Sequence, residues 1–393
     1  MLAGIGGYGN TYVNALLNDG DALGARIVAG VDPAPQSCKR LADLTAAGIP
    51  ILTSLDEALA KTPADLVVLS TPISLHAPQT AAALARGAHV LCEKPLCAST
   101  DDVRTMLAAR ARAGRQVAIG YQWSFSDAVL ALKRDIMAGR LGAPRRLKTL
   151  ALWPRDLAYY GRNHWAGRVR DDQGLWVLDS PVNNAVAHYL HNMLYLLGDR
   201  LDRSWAPTTL TAELYRANAI ENYDTAALRL QGPAGVEVGF FVAHAVDRHA
   251  GPISHFEFDK AVVTYGGAEG NRFTARFANG EVCDYGSPEP QDQKLRTTLA
   301  CVRSGEPVPC GIEAASAHTA CVLAAAQSST ITPFPAAQVR TSPHGESTLV
   351  HVDGLADALE RCYAGMKLPS EAGFPWAHAG RQVALTPVFA AMA

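Results

Sequence analysis

The chain opens on Gly4-Ile5-Gly6-Gly7-Tyr8-Gly9, a G-x-G-x-x-G run set almost at its first residue. Few short patterns limit a fold more. The first glycine permits a tight turn, the second lets a pyrophosphate approach the backbone, and the third lets a helix pack closely on a strand. The loop then feeds a helix N-terminus, whose unpaired N–H groups and positive dipole end favour phosphates. Alone the run is weak, because glycine-rich turns are common. Its surroundings strengthen it. Asn10 to Asn18 reads as a helix with Val13, Leu16 and Leu17 on one face, and Ile27 to Val31 as a buried strand. That strand ends at Asp32, about 23 residues after the third glycine, where a ribose-binding acid is expected. A carboxylate there accepts from both ribose hydroxyls and repels a 2′-phosphate, so NAD is expected rather than NADP. The competing role for Asp32 is a helix or turn cap.

The alternation continues. Pro50-Ile51-Leu52 reads as a short strand, and Ser54 with Glu57 as a capping box that opens a helix. Asp65 to Ser70 is a strand ending at Thr71-Pro72, and His76 to Arg86 a helix with Gly87 as its C-cap. Ala88 to Cys92 is a strand ending at Glu93-Lys94-Pro95, Asp101 to Ala113 a helix, and Gln116 to Gly120 a last strand. Strands alternating with helices predict a parallel, doubly wound sheet of the Rossmann type. Ligands of such sheets sit beyond the carboxyl ends of the strands, where Asp32, Thr71-Pro72 and Glu93-Lys94-Pro95 fall. Only Met1-Leu2-Ala3 precede the first glycine, short of the five or six residues of an ordinary strand. The reading therefore expects a natural start upstream of Met1, or a truncated chain.

A length of 393 residues suggests two domains or three. Hydrophobic residues at 48% exclude disorder as the main theme, and a net charge of -2 offers no basic surplus for nucleic acid. No apolar run reaches ~18 residues, so no transmembrane helix is expected. Met1-Leu2-Ala3-Gly4 has no basic n-region, so no secretory signal is expected and the cytoplasm is the predicted location. The 8 cysteines form no CxxC pair, which predicts reduced, packed thiols rather than disulfides or a metal site.

Beyond residue 121 the pattern changes, which predicts a dinucleotide-binding domain over 1–121 and a second domain over 122–393. Leu147 to Trp153 reads as a strand. The loop that follows, Trp153-Pro154-Arg155-Asp156 and Tyr159-Tyr160-Gly161-Arg162-Asn163-His164-Trp165, is rich in groups that stack on sugar faces and hydrogen-bond hydroxyls. It fits a substrate wall, and equally a packing or interface loop. Tyr121-Gln122-Trp123, at the linker, is a second candidate wall. Strand-like runs follow over 208–215, 225–230, 236–243, 255–258, 261–265, 273–277 and 282–285, with a hairpin turn at Ala278-Asn279-Gly280. Consecutive strands predict an α+β domain with an open, mostly antiparallel sheet. Gln293 to Ser304, Ile312 to Ser328 and Val352 to Ala364 read as helices, 330–345 as a surface connection, and nothing is legible beyond Pro369.

The glycine loop, the Thr71-Pro72 step, His76 and the Glu93-Lys94-Pro95 triplet together resemble the Gfo/Idh/MocA family, the glucose–fructose oxidoreductase and inositol dehydrogenase group. The likeness covers the N-terminal domain well and the second domain more loosely, to about residue 330. It implies a cofactor site that includes Gly4, Gly6, Tyr8, Gly9, Asp32, Thr71, Pro72, His76, Glu93 and Lys94, with Lys94 between nicotinamide and substrate. The family also has a helix patterned D-x-G-x-H-x-x-D. In this chain the stretch is Asn184-Ala185-Val186-Ala187-His188-Tyr189-Leu190-His191, so His188 matches the family histidine, while Asn184 and His191 stand where aspartates are usual. The implied catalytic set is thus Lys94, His188 and Asn184, and the candidate substrate contacts are His188 and His191 of this helix together with Tyr121, Asn163, His164 and Trp165 of the two candidate walls. The resemblance also implies a homodimer or homotetramer formed through the open sheet.

The chemistry is coherent. Oxidising a secondary alcohol needs a base for the O–H proton, and an imidazole with an ordinary pKa near 6.5 suits His188. Lys94 can stabilise a developing alkoxide or act as base if burial lowers its pKa. Asn184 can orient a hydroxyl but cannot offset an imidazolium, and Asp179 replaces the lost charge only if the backbone brings it there. His188 and His191, three apart, also fit a metal pair or core packing, though no acidic third ligand has the right spacing. The expected function is hydride transfer between NAD and a sugar, polyol or glycoside. The alternatives are NAD-dependent glycoside cleavage without net redox, and a non-catalytic sensor that binds NAD and sugar.

Overall fold

The computed structural model describes residues 1–288 and 290–385. The chain divides into two compact units, Met1–Ser126 with Glu289–Ser316, and Asp127–Pro288 with Ala317–Ala393. This differs from a division into two consecutive segments, because the chain returns to the first unit after residue 288. The cause lies in side chains. Arg303 donates to the Leu23 and Gly24 carbonyls at 2.6 and 2.9 Å, and Gln116 donates to those of Cys301 and Glu306 at 3.0 and 2.8 Å. The returning helix reads in sequence as any amphipathic helix does.

In the first unit the chain runs β1 (Leu2–Ala3), α1 (Gly9–Leu23), β2 (Gly30–Val31), α2 (Leu41–Ala46), β3 (Ile51–Leu52), α3 (Leu55–Lys61), β4 (Leu66–Leu69), α4 (His76–Ala85), β5 (His89–Cys92), α5 (Thr100–Ala113) and β6 (Val117–Ile119). The strand order is β3-β2-β1-β4-β5-β6, parallel throughout, as the alternation predicts. The order reverses between β2-β1 and β4, and it is at such a switch point that ligands bind. The strand expected over Ile27 to Val31 narrows to Gly30–Val31, the stretch that has β1 beside it. Ser54 makes no capping hydrogen bond; instead Asp56 and Glu57 place negative charge in the first turn of α3, where the helix dipole favours it. Ser99 does cap α5, accepting from Asp102 N–H at 3.1 Å.

The second unit begins with α6 (Asp127–Met137), β7 (Pro144–Leu152), the short α7 (Leu157–Tyr160) and α8 (Ala187–Leu196). Strands β8 (Thr209–Arg216), β9 (Thr225–Gln231), β10 (Glu237–Ala243), β11 (Ala250–Phe258), β12 (Ala261–Tyr265), β13 (Phe273–Phe277) and β14 (Val282–Gly286) follow. Helix α9 (Gln293–Ser304) is the returning helix of the first unit. Then come α10 (Ile312–Ser328), β15 (Ile331–Pro333), the hairpin β16 (Val339–His344) and β17 (Ser347–Val352), α11 (Leu355–Gly365) and β18 (Val383–Ala384). The large sheet has the order β14-β13-β12-β11-β7-β10-β9-β8-β15, with β18 also paired to β8. It is mostly antiparallel, the exceptions being β7 with β10 and β8 with β15. Gly280 takes a φ of 91° in the turn joining β13 to β14.

Period-two alternation fixes what each face of this sheet meets. On β7, Thr149 points to α8, where its hydroxyl meets Met193 Sδ at 3.3 Å. Leu150 and Leu152 point the other way, into a cluster with Phe241 and Ala243 of β10, Leu355 and Leu359 of α11, and Leu368 and Trp376. Lys148, in phase with them, donates to the Tyr363 and Ala364 carbonyls that end α11. Ala372, Phe374, Trp376 and Ala377, in the stretch beyond Pro369 that is silent in sequence, thus pack on this core.

Candidate functional site

The glycine loop has the shape its sequence implies. Gly4 has a φ of 77°, and a Cβ there would lie 2.5 Å from the Ser70 carbonyl oxygen. A Cβ on Gly9 would lie 1.8 Å from the Gly4 carbonyl oxygen, so only glycine lets α1 start this close to the turn. Gly7 faces open space. Helix α1 has no acid in its first turn and no side-chain cap from Tyr8; the N–H groups of Gly9, Asn10 and Thr11 turn back to the Gly6, Gly7 and Tyr8 carbonyls, so what this end offers an anion is its positive dipole. Asp32 ends β2, and its Oδ2 accepts from the N–H groups of Ile5 and Gly6 at 3.0 and 3.1 Å. Oδ1 accepts from Ala34 N–H at 2.9 Å. The carboxylate therefore caps its own turn and also sits against the loop. A dinucleotide fits this cradle: a helix end open to phosphate, an open Gly7 and an acid beside the second glycine.

The neighbouring strand ends are tied together. His76, buried, has Nδ1 2.8 Å from the Pro95 carbonyl and Nε2 3.0 Å from that of Thr71. Burial lowers its pKa, and a neutral ring donates to one of these carbonyls only. His76 thus acts as a strut between the Thr71-Pro72 step and the Glu93-Lys94-Pro95 turn. Thr71 donates to Gln79 Oε1 at 2.6 Å. Lys94 is half-buried, and its N–H donates to Glu93 Oε2 at 3.2 Å.

Glu93 is itself buried and receives two side-chain donors besides, Tyr12 and Lys294 of α9. Lys294 also donates to the Tyr8 hydroxyl at 3.0 Å. Burial alone would push the Lys294 pKa down, but the Glu93 charge and the bonds to Glu93 and Tyr8 outweigh it and hold the ammonium charged. One cation thus links the glycine loop to the turn that carries Lys94. Sequence reasoning missed it, although a signal existed: Lys294 falls on the buried face of α9 with Leu295, Thr298 and Leu299.

In the second unit, Pro181–Ala185 forms a π-type turn that leads into α8. Asn184 and His188 are half-buried. Asn184 Nδ2 donates to Asp179 Oδ1 at 2.7 Å, so the carboxylate lost at position 184 reappears one hydrogen bond behind it. Asp179 Oδ2 accepts from Gly167 N–H at 2.7 Å and faces Arg162 at 3.3 Å. The preceding Leu178 holds a φ of 50°, a left-handed conformation that costs a leucine about 1–2 kcal/mol. This turn delivers Asp179 inward, and no sequence pattern marks it. His191 is fully buried, stacks on Tyr195 with centroids 5.8 Å apart, and is kept neutral by burial and then by His318 and Lys133. The structure thus uses it as a core residue. Tyr121 is also fully buried, and it belongs to the first unit. In the loop before α8, Asn163 Oδ1 accepts from Trp165 N–H at 3.1 Å and His164 is exposed. Trp153 lies edge-on to Tyr189 of α8 at 5.8 Å, which fastens the aromatic loop to the helix bearing His188.

The eight cysteines are free thiols, and among the described residues no helix is long and apolar enough to cross a membrane.

Comparison with known proteins agrees with this architecture. Residues 1–121 match the family model GFO_IDH_MocA, described as an oxidoreductase family with an NAD-binding Rossmann fold. An inositol 2-dehydrogenase of Streptomyces avermitilis is 32% identical over 200 residues, 50% of this chain and 52% of that protein. A 1,5-anhydro-D-fructose reductase of Ensifer adhaerens is 38% identical over 93 residues, 24% of this chain and 28% of that protein. The chain thus aligns with about half, or less, of the length of these curated relatives. Among solved structures, the WlbA dehydrogenase of Bordetella pertussis in complex with NADH and UDP-GlcNAcA superposes with a TM-score of 0.68 at 23% identity, covering 83% of this chain and 95% of that one. An oxidoreductase of Agrobacterium radiobacter in complex with NAD+, L-tartaric acid and magnesium gives 0.66 at 19% identity, with the same coverage of 83% and 95%. These likenesses extend the shared fold well past residue 121. Residues 1–121 are thus similar to the NAD-binding Rossmann domain of the Gfo/Idh/MocA oxidoreductase family.

Proposed function

We propose that this chain is an NAD-dependent oxidoreductase that transfers a hydride between nicotinamide and a hydroxyl-bearing carbon of a sugar or polyol. The observation that carries this reading is the rim of the first sheet: Asp32 held against the glycine loop at the end of β2, and Lys94 in a tied turn at the end of β5. Fixed negative charge beside the loop disfavours a 2′-phosphate and so favours NAD over NADP. The names of the relatives, inositol 2-dehydrogenase and anhydrofructose reductase, support a polyol or sugar substrate.

NAD, when bound, supplies the hydride acceptor. His188 takes the hydroxyl proton as general base. Lys94 stabilises the negative charge that develops on the substrate oxygen. Asn184, its amide oriented by Asp179, positions a substrate hydroxyl, and the aromatic loop from Trp153 to Trp165 gives the sugar a face to stack on.

Two measurements test this reading. A fluorescence titration should show NAD binding clearly tighter than NADP; equal affinities would remove the role given to Asp32. On a panel of sugars and polyols followed by NADH absorbance, Lys94→Ala should lower turnover by about 10²–10⁴-fold while NAD affinity stays within a few-fold. Unchanged turnover would end the catalytic assignment, and product formation without accumulating NADH would favour glycoside cleavage with no net redox.

A further inference from the structure

The loop after β7 holds two guanidinium groups on one aromatic ring. Arg155 lies 4.8 Å from the Tyr159 ring centre and Arg162 lies 3.9 Å from it. The two cations are thus no further apart than those distances combined. Like charges so close are tolerated when anions lie near, and here they are served unequally. Arg162 faces the buried Asp179 carboxylate at 3.3 Å and donates to the Tyr159 carbonyl at 2.7 Å. Arg155 has no carboxylate within 4.0 Å among the described residues, and its buried Nε has no hydrogen-bond partner. Asp156, next in sequence, spends its carboxylate on Tyr159 N–H at 2.8 Å.

The surroundings keep Arg155 in place without neutralising it. Its N–H donates to the His244 carbonyl at 3.2 Å, and its guanidinium also lies 5.5 Å from the Trp153 ring. Trp153 in turn stacks on His249 and meets Tyr189 edge-on. The His244 imidazole is held neutral by burial and then by the two guanidinium charges, so it adds no charge of its own. Asp179 links Arg162 to Asn184 through its two oxygens. The cation pair therefore borders the stretch that carries Asn184 and His188. The Arg155 guanidinium shares a hydrogen bond with Tyr159 and leaves its Nε unbonded; a planar cation without a carboxylate of its own, flanked by aromatic faces, is suited to a carboxylate or a phosphate.

Resting on the oxidoreductase reading, we propose that the substrate is an anionic sugar whose carboxylate or phosphate is received by Arg155, with Arg162 as the second cation. Arg155 is then a specificity-determining residue, and neutral polyols are the weaker ligands.

Isothermal titration of the NAD-loaded protein tests this. The probes are D-glucuronate, D-galacturonate, D-gluconate and D-glucose 6-phosphate, set against D-glucose, D-galactose and myo-inositol. At least one anionic probe should bind tenfold or more tightly than its neutral counterpart, and the carboxylate and phosphate arms tell which oxyanion is preferred. In Arg155→Gln that ratio should fall towards one, because anionic affinity drops further than neutral affinity does. A thermal melt and an NAD titration show that the variant is folded; Arg155→Lys, which keeps charge but loses the fork, should recover only part of the ratio. Equal binding of neutral probes, a ratio that survives Arg155→Gln, or no binding by any anionic probe would overturn the proposal. The same sugar titrations on the protein without NAD keep the two readings apart, since failure to bind NAD breaks the oxidoreductase reading while the anion ratio of the unloaded protein still tests Arg155.

Discussion

The glycine loop of the first unit and the Trp153-to-Asn184 region of the second are built by opposite means. In the first, backbone does the work: two glycines whose Cβ atoms would strike carbonyl oxygens, a helix end, and an aspartate that bonds N–H groups. In the second, side chains do it: Arg155 and Arg162 on Tyr159, and Asp179 behind Asn184. Backbone construction needs particular residues at particular spacings, so it leaves a signature in sequence. Side-chain construction gathers residues from 153 to 249, and many sequences satisfy it. The first kind suits a constant cofactor, and the second suits a ligand that differs between relatives.

Substitutions in the two regions can break this contrast. The largest effect is expected at Gly9. Its Cβ would sit 1.8 Å from a backbone oxygen, which cannot move without shifting α1. Gly9→Ala should cost at least about 3 kcal/mol, the upper part of the overpacking range, and abolish NAD binding. Gly7, at a φ of 48° with nothing near its Cβ, should lose only about 1 kcal/mol as Gly7→Ala. Denaturant melts of the two variants would measure the difference. Equal losses would mean that the loop tolerates crowding and that its glycines are not set by backbone contact.

Next in size is Lys294→Met. It leaves Glu93 buried without its cation, and breaking such a pair costs about 3–5 kcal/mol. Urea unfolding should register this, and NAD affinity should fall with it because Tyr8 loses the donor that links it to Glu93. A loss below about 1 kcal/mol would show that the glycine loop stands without this side-chain lock.

The smallest effect, taken for one histidine over one pH unit, is expected in the second unit. Burial keeps His191 and His244 neutral, with folded pKa values well below the ordinary 6.5. A depressed basic group stabilises fully above its unfolded pKa, and stability is lost as pH falls below that value. Each histidine then costs up to about 1.4 kcal/mol per pH unit below 6.5. Urea melts should weaken between pH 7 and pH 5, and His191→Phe should flatten part of that slope. An unchanged slope would show that the His191 ring takes up its proton in place.

How much could be read beforehand follows the same divide. The parallel sheet, its carboxyl-end rim, the glycine loop, Asp32 and the hairpin turn at Gly280 were legible because each depends on local pattern. Less was legible where tertiary contact decides. Helix α9 was visible as a helix, but its return to the first unit depends on Lys294, Gln116 and Arg303 meeting residues far away in sequence. Asp179 could be named but not placed, because Leu178 turns the chain through a backbone state that leucine rarely signals. His191 shared the spacing of a site residue, and only its burial shows that it packs on Tyr195. Arg155 and Arg162 were visible as residues of an aromatic loop, while their sharing of one ring was not.

Helix α11 and Leu368 to Trp376 carry one more consequence. They lie on the face of β7 and β10 that a sheet packed on one side would leave bare. A second subunit or any other molecule seeking that face must compete with the chain's own α11 and Leu368 to Trp376. Its apparent affinity is then divided by the fraction of molecules in which α11 has let go, a fraction that Leu355, Leu359 and Trp376 keep small. Association at this surface is a contest decided inside the monomer before any partner arrives.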